Sequence, residues 1–204
     1  MDLKSTYDRI AEDWNKDHLH DTWWIDGAQK FSSLLGPGST ILDVGCGSGI
    51  KAKYFIERGF RVAGIDLSEK MIEIAQREVP QGNFKVMDMY DISELTESFD
   101  NIFMVAALLH IKKEKAPNVL SAFASKLRPG GYFYVGVKEQ RSGRKEEEIV
   151  KENDYGYDYE RFFSYFTFDE IKKYFSDLAM KICYEDVSTT GKTNWVQVIG
   201  RSKG

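Results

Sequence analysis

Residues 41–50 read Ile-Leu-Asp-Val-Gly-Cys-Gly-Ser-Gly-Ile. Strand-compatible positions run into Gly45, Gly47 and Gly49, and Lys51, Ala52, Tyr54, Phe55 and Ile56 continue at helical spacing. The stretch therefore predicts a strand, a glycine turn and a helix. Such a turn suits a nucleotide, because it needs backbone with φ > 0 and tolerates no Cβ between the chain and a ligand lying across it.

Asp43 narrows the choice of nucleotide. A dinucleotide brings its pyrophosphate to the helix N-terminus, where free N–H groups attract anions, and a carboxylate two residues before the first glycine would repel that charge. S-adenosylmethionine carries an ammonium and a sulfonium instead, and the same carboxylate would attract both. Asp66 ends a short predicted strand, 61–65, about 20 residues beyond the turn, where an acid can accept both ribose hydroxyls. Asp88 closes a third predicted strand and could meet the adenine amino group, with Met87 and Met89 as apolar neighbours for the ring.

The run Leu42 to Gly49, then Gly64-Ile65-Asp66-Leu67-Ser68 leading into Met71, then Asp88, Phe99-Asp100-Asn101-Ile102 and Leu127-Arg128-Pro129-Gly130-Gly131 resembles the class I S-adenosylmethionine-dependent methyltransferases, their small-molecule branch in particular. The resemblance covers roughly residues 38 to 140, with looser similarity at both ends. It implies that Asp43 serves the methionine amino end, Asp66 the ribose and Asp88 the region of the adenine. Gly45, Cys46, Gly47, Leu67, Met71, Met89 and Ala106 complete the expected cofactor set.

From Thr40 onward strands and helices alternate: strand 40–44, helix 48–58, strand 61–65, helix 68–78 capped by Ser68, strand 83–88 and strand 100–106. A helix over 113–127, a turn at Arg128–Gly131 and a strand at 132–138 follow. Alternation of this kind means right-handed βαβ units and a mostly parallel sheet with helices on both faces. Thr167 and Glu170 form a capping-box pattern that opens a helix to residue 176. Strands 180–188 and 193–201 read as an antiparallel hairpin. The expectation is an α/β Rossmann-like methyltransferase fold with seven strands, spanning 1–204 as one domain, with Gly45, Asp66 and Asp88 at successive strand ends, where ligands of such sheets bind.

The flanks differ from this core. Residues 5–17 predict an amphipathic helix with Ser5 or Thr6 as N-cap and Tyr7, Ile10, Ala11 and Trp14 on one face. The resemblance implies that 1–36 is a helical lid and that Tyr7 touches cofactor or substrate, although packing alone would also explain Tyr7 and Trp14. A second helix is expected over 22–35. Its adjacent Trp23 and Trp24 cannot both face one core, so one of them should line a pocket or a partner surface. His18 and His20 match no metal-site spacing, and no metal is expected.

Small residues at Ala106 and Ala107 follow the fourth strand, where the family often brings methyl and acceptor together. His110 is the candidate general base, because its ordinary pKa suits proton removal near neutrality. A packing role is the competing reading. Residues 139–166 are the expected substrate-covering insertion. Its charged run, Arg141 to Lys151, reads as a solvated helix face, and its mix of aromatics with Asp154, Asp158 and Glu160 suggests a cationic acceptor.

The net charge of −4 with no long basic run argues against nucleic acid as a partner. No apolar run of 18 residues exists, which argues against a membrane span, and two cysteines without paired spacing suit a cytoplasmic protein. The expected activity is methyl transfer from S-adenosylmethionine to a small-molecule acceptor. A methyltransferase-fold protein that only binds the cofactor, or an enzyme acting on protein or RNA, would share the same cofactor residues. An NAD-dependent oxidoreductase would share the glycine turn and Asp66, but Asp43 and Asp88 oppose it.

Overall fold

The computed structural model describes residues 2–204. Successive side chains of a strand face opposite sides of its sheet. In the central strands both sides are apolar, which calls for cover on both faces. In β1 (Thr40–Val44), Ile41 and Leu42 are both fully buried but belong to different cores. β2 (Arg61–Asp66), β3 (Asn83–Val86), β4 (Phe99–Val105) and β5 (Leu127–Lys138) extend the sheet in parallel.

The full order is β3-β2-β1-β4-β5-β9-β8. β8 (Lys181–Thr190) and β9 (Thr193–Arg201) form the antiparallel terminal hairpin, with β9 against β5. This is the expected seven-stranded mixed sheet. Its order reverses beside β1, which opens a crevice between the carboxyl ends of β1 and β4.

One face is covered by α5 (Ala116–Ala124) and α6 (Phe168–Asp177), through Val119, Leu120, Phe123, Ile171 and Phe175. α2 (Ile25–Ser32), α3 (Ile50–Ile56) and α4 (Glu69–Glu78) cover the other, through Phe31, Phe55 and Ile72. The Thr167–Glu170 capping box of α6 is present in full.

α1 (Leu3–His18) lies outside these layers, with Ala11 against Met71 and Ile74 of α4. Polar contacts fasten it at several points. The Asp8 carboxylate accepts from Ser68 Oγ at 2.7 Å and from the Lys70 N–H at 3.1 Å. Lys4 pairs with Glu69 at 3.0 Å and Arg77 with Glu12 at 2.9 Å.

Several boundaries depart from the sequence reading. The N-cap of α1 is Asp2, not Ser5 or Thr6, because the Asp2 carboxylate reaches the Lys4 N–H at 3.1 Å and so starts the helix a turn earlier. α5 starts at Ala116 rather than residue 113, since Pro117 is tolerated only in a helix's first turn. The Arg128–Gly131 turn lies within β5 as a break in register between Leu127 and Tyr132, and a Cβ on Gly131 would stand 2.1 Å from the Asp100 carbonyl.

The largest correction concerns 141–151, expected as a helix face. β6 (Glu147–Glu152) and β7 (Tyr159–Ser164) instead form a separate antiparallel pair. The charges neutralise one another across the strands: Lys151 stands opposite Glu160 at 3.5 Å, and Glu152 takes Arg161 by two contacts of 2.6 and 2.5 Å. β-branched Ile149 and Val150 favour the same conformation.

Candidate active site

The crevice beside β1 holds a cavity of about 320 Å³. Its floor is the glycine turn. Gly45 and Gly47 have φ of +66° and +54°, and a Cβ on Gly45 would lie 2.6 Å from that of Ala107. Backbone there must be bare. Cys46 also lines the cavity, its thiol pushed up by burial, so it serves as a small neutral wall.

Asp66 projects from the end of β2 into this space. One oxygen accepts the Gly47 N–H at 2.9 Å and the other the Ser68 N–H at 2.9 Å, which fixes the carboxylate plane. Burial raises its pKa, and these two N–H groups oppose the rise. Leu67, Met71, Met87, Asp88 and Met89 line the far end. Asp88 also caps the short 3₁₀ turn Met89–Glu94 by accepting the Tyr90 N–H at 3.0 Å.

Asp43 stands apart from the rest of the expected set. It is 1% exposed, lies beneath the turn rather than in the cavity wall, and its Oδ2 has no hydrogen-bond partner among the described residues. Burial pushes its pKa up to about 7 against the pull of Lys51. The unmet carboxylate oxygen is an acceptor held one layer below the turn.

Beyond Ala106 a second cavity of about 260 Å³ opens. Tyr7, Trp14, Lys51, Ala106 and His110 belong to the walls of both. Ala106 has φ of +62°, a left-handed conformation that is strained for any residue with a Cβ. Its small side chain sits at the junction of the two spaces.

His110 is held from both ends. Nδ1 lies 2.8 Å from the Phe162 carbonyl, an acceptor only, so Nδ1 carries the proton and Nε2 accepts from the Tyr7 hydroxyl at 2.8 Å. Enclosure pushes its pKa down to about 3, with Arg161 and Lys138 reinforcing the shift. It is a neutral ring with both nitrogens engaged.

Sequence reasoning missed three cationic residues of the second cavity: Lys51, Lys138 and Arg161. Lys138 carried a readable signal, since a charged residue ends the apolar strand β5 at the edge where ligands of such sheets bind. Trp23 and Trp24, expected to face different ways, are not cleanly separated. Trp24 is buried in the core and Trp23 packs against the same core while stacking on Trp195 at 3.9 Å, and both border the second cavity. The expected acidic face for a cation is absent from either cavity: Asp154, Asp158 and Glu160 lie outside both, with Glu160 paired to Lys151. Tyr157 donates to Asp13 at 2.9 Å and so packs the β6–β7 pair onto α1. His18 stacks on Trp14 at 4.1 Å.

A doubly covered sheet with this strand order, a bare glycine turn and an acid at the end of β2 defines a nucleoside-binding protein of Rossmann type. Residues 41–131 match the family profile described as a methyltransferase domain. The ubiquinone biosynthesis O-methyltransferase of Xanthomonas oryzae pv. oryzae is 29% identical over 138 residues, which cover 58% of this chain and 57% of the relative. This chain thus spans little more than half the length of that curated relative. Among solved structures, the 1,6-didemethyltoxoflavin-N1-methyltransferase of Burkholderia thailandensis has a TM-score of 0.77 at 20% identity, covering 99% of this chain and 88% of its own. The magnesium protoporphyrin IX methyltransferase of Synechocystis, with S-adenosylhomocysteine bound, gives 0.73 at 18% identity and 98% of each chain. Residues 41–131 thus match a methyltransferase domain, and the chain has the fold of the class I S-adenosylmethionine-dependent methyltransferases. No helix among the described residues is long and apolar enough to cross a membrane.

The residues present fit the cofactor of that class. Asp66 and Asp88, with Leu67, Met71, Met87 and Met89 beside them, line the first cavity, a set suited to a ribose and a neutral purine. The unpartnered Asp43 oxygen suits positive charge above it, and the bare turn admits close approach.

Proposed function

We propose that this protein transfers a methyl group from S-adenosylmethionine to a small-molecule acceptor that occupies the second cavity. The observation that carries the reading is the continuity of the two cavities past Ala106, with the acids and glycines on one side and aromatic walls on the other. When bound, S-adenosylmethionine supplies a methyl already activated by its sulfonium.

The chain's own task is therefore positioning and exclusion of water. Asp66, fixed in plane by Gly47 and Ser68, would hold the ribose diol, while Gly45 and Gly47 offer bare backbone beneath the methionine portion. Leu67, Met71 and Met89 with Asp88 would flank the adenine, and Cys46 would pack beneath the nucleoside. Asp43 would act through its field from below. Residues 1–36 would act as the lid and 139–166 as the cover over the acceptor, the latter through Arg161 and Phe163.

Tyr7 is the residue best placed to orient an acceptor. Its hydrogen goes to His110 and its oxygen accepts from Arg161 Nη1 at 3.5 Å, which leaves one lone pair to accept from an acceptor hydroxyl or amine. His110 then serves as a positioning residue rather than as the general base. The acceptor's proton would pass to solvent as the new bond forms. At about 260 Å³ the second cavity has room for a small molecule rather than a protein or RNA segment.

Calorimetric titration with S-adenosylmethionine and S-adenosylhomocysteine, followed by incubation with methyl-labelled cofactor and acceptor mixtures, tests this reading. Binding of both adenosyl compounds and label in small products is expected. Label found only in macromolecules, or no binding, would overturn it.

A further inference from the structure

The second cavity is poor in acid and rich in cation. Asp21 is the one carboxylate in its lining among the described residues, and it already accepts the Trp23 indole N–H at 3.3 Å. Of the three cations there, Arg161 is neutralised by its paired contact with Glu152. Lys138 and Lys51 form no ion pair within 4.0 Å among the described residues, the shortest cation–carboxylate contacts all lying elsewhere.

Such an arrangement is unfavourable without a ligand. An enclosed ammonium needs a counter-charge or its protonated form is weakened, and the Lys138 pKa is indeed pushed down to about 8 by enclosure and by Arg161. What Lys138 does have is the face of Phe163, with Nζ 3.8 Å from the ring centroid. A cation–π contact of this kind offsets part of the lost hydration. It leaves the ammonium's other side free to meet an anion in the cavity.

The opposite requirement comes from the stacked Trp23 and Trp195, whose rings lie within 12° of parallel. They cover each other's inner faces, and the outer ring face that remains is the flat apolar complement of a planar ring. A flat wall beside an unpaired ammonium selects for a flat molecule with a negative edge.

We propose that the methyl acceptor is a planar aromatic acid, its carboxylate held by Lys138 with Lys51 adding positive potential and its ring lying against the Trp23–Trp195 wall. This rests on the assignment of the second cavity to the acceptor. It replaces the cationic substrate suggested by the Tyr-Asp-Tyr-Glu sequence, whose acids face elsewhere.

The test is calorimetry on the full chain saturated with S-adenosylhomocysteine, using benzoate, salicylate and quinaldate, each against its uncharged carboxamide. The acids are expected to bind about tenfold or more tighter than the amides, the preference that a charge-assisted hydrogen bond supplies. Lys138→Gln is expected to remove that preference, and Lys138→Arg to keep most of it. Affinity for S-adenosylhomocysteine, measured on each variant, reports that the first cavity is intact. Amides that bind as well as acids, acids that do not bind at all, or a preference that survives Lys138→Gln would each overturn the inference while leaving the cofactor reading in place. Failure of the unmodified protein to bind S-adenosylhomocysteine would overturn both.

Discussion

The Tyr7 hydroxyl and His110 Nε2 lie 2.8 Å apart although 103 residues separate them in sequence. The contact joins α1 to the loop after β4 and completes a chain of donors that runs from Tyr7 through His110 to the Phe162 carbonyl. Three segments remote in sequence are thereby held around the junction of the two cavities.

Tyr7→Phe removes the donor and leaves Nε2 without a partner. The expected loss of stability is about 1–3 kcal/mol, the usual effect of an enclosed polar atom left unsatisfied. Urea unfolding reads it, and an unchanged midpoint would mean that water replaces the hydroxyl.

Asp66→Ala removes the acceptor of both the Gly47 and Ser68 N–H groups as well as the proposed ribose contact. Affinity for S-adenosylhomocysteine should fall by about tenfold or more, read by calorimetry. Full affinity in the variant would remove Asp66 from the cofactor set.

Asp43 and His110 give opposite pH dependences. Asp43 has a folded pKa of about 7, above its ordinary value of about 3.9. Between those limits the native state holds the extra proton, so this residue's contribution to stability falls as pH rises through the window. His110 has a folded pKa of about 3, below its ordinary value of about 6.5. There the unfolded state holds the extra proton, and stability rises with pH. The two oppose each other between about pH 4 and 6.5. Relative to the unmodified protein, Asp43→Asn should therefore lose stability more steeply on acidification, and His110→Asn should lose it less steeply. Denaturant midpoints across pH 4–7.5 would show it, and parallel curves for all three proteins would refute it.

Ala106→Gly relieves the left-handed strain at φ +62°. The strain of about 1–2 kcal/mol is partly offset by glycine's freedom in the unfolded chain, for a net gain of about 1 kcal/mol. For a chain of this size that is about 2–4 °C in Tm. Differential scanning fluorimetry would detect the rise, and a fall would show that the Ala106 methyl contributes packing that outweighs the strain.

The sheet was readable because its determinants are local. Gly45 to Gly49 announce the turn, the strand–helix alternation fixes the parallel core, and Ser68 and Thr167 mark helix starts by their own side chains. Asp66, Leu67, Met71, Asp88 and Met89 follow, because strand ends in such a sheet converge on one edge. What escaped was cross-chain. The charges of 147–152 read as a solvated face until Glu160 and Arg161 are brought alongside them, and Trp23 meets Trp195 only when the last strand inserts. Lys51 read as an ordinary helix residue, since nothing nearby in sequence shows that it borders both cavities.

α1 contributes Tyr7 and Trp14 to the walls of both cavities, and Asp8 ties it to Ser68, the residue whose N–H steadies Asp66. Any displacement of α1 thus alters the two walls together. Occupancy of either cavity that favours the seated helix also favours it for the other, and thermodynamic linkage makes that assistance equal in both directions. In the proposed reading, ligand in one cavity therefore raises the affinity of the other through this helix, in addition to any direct contact between the two.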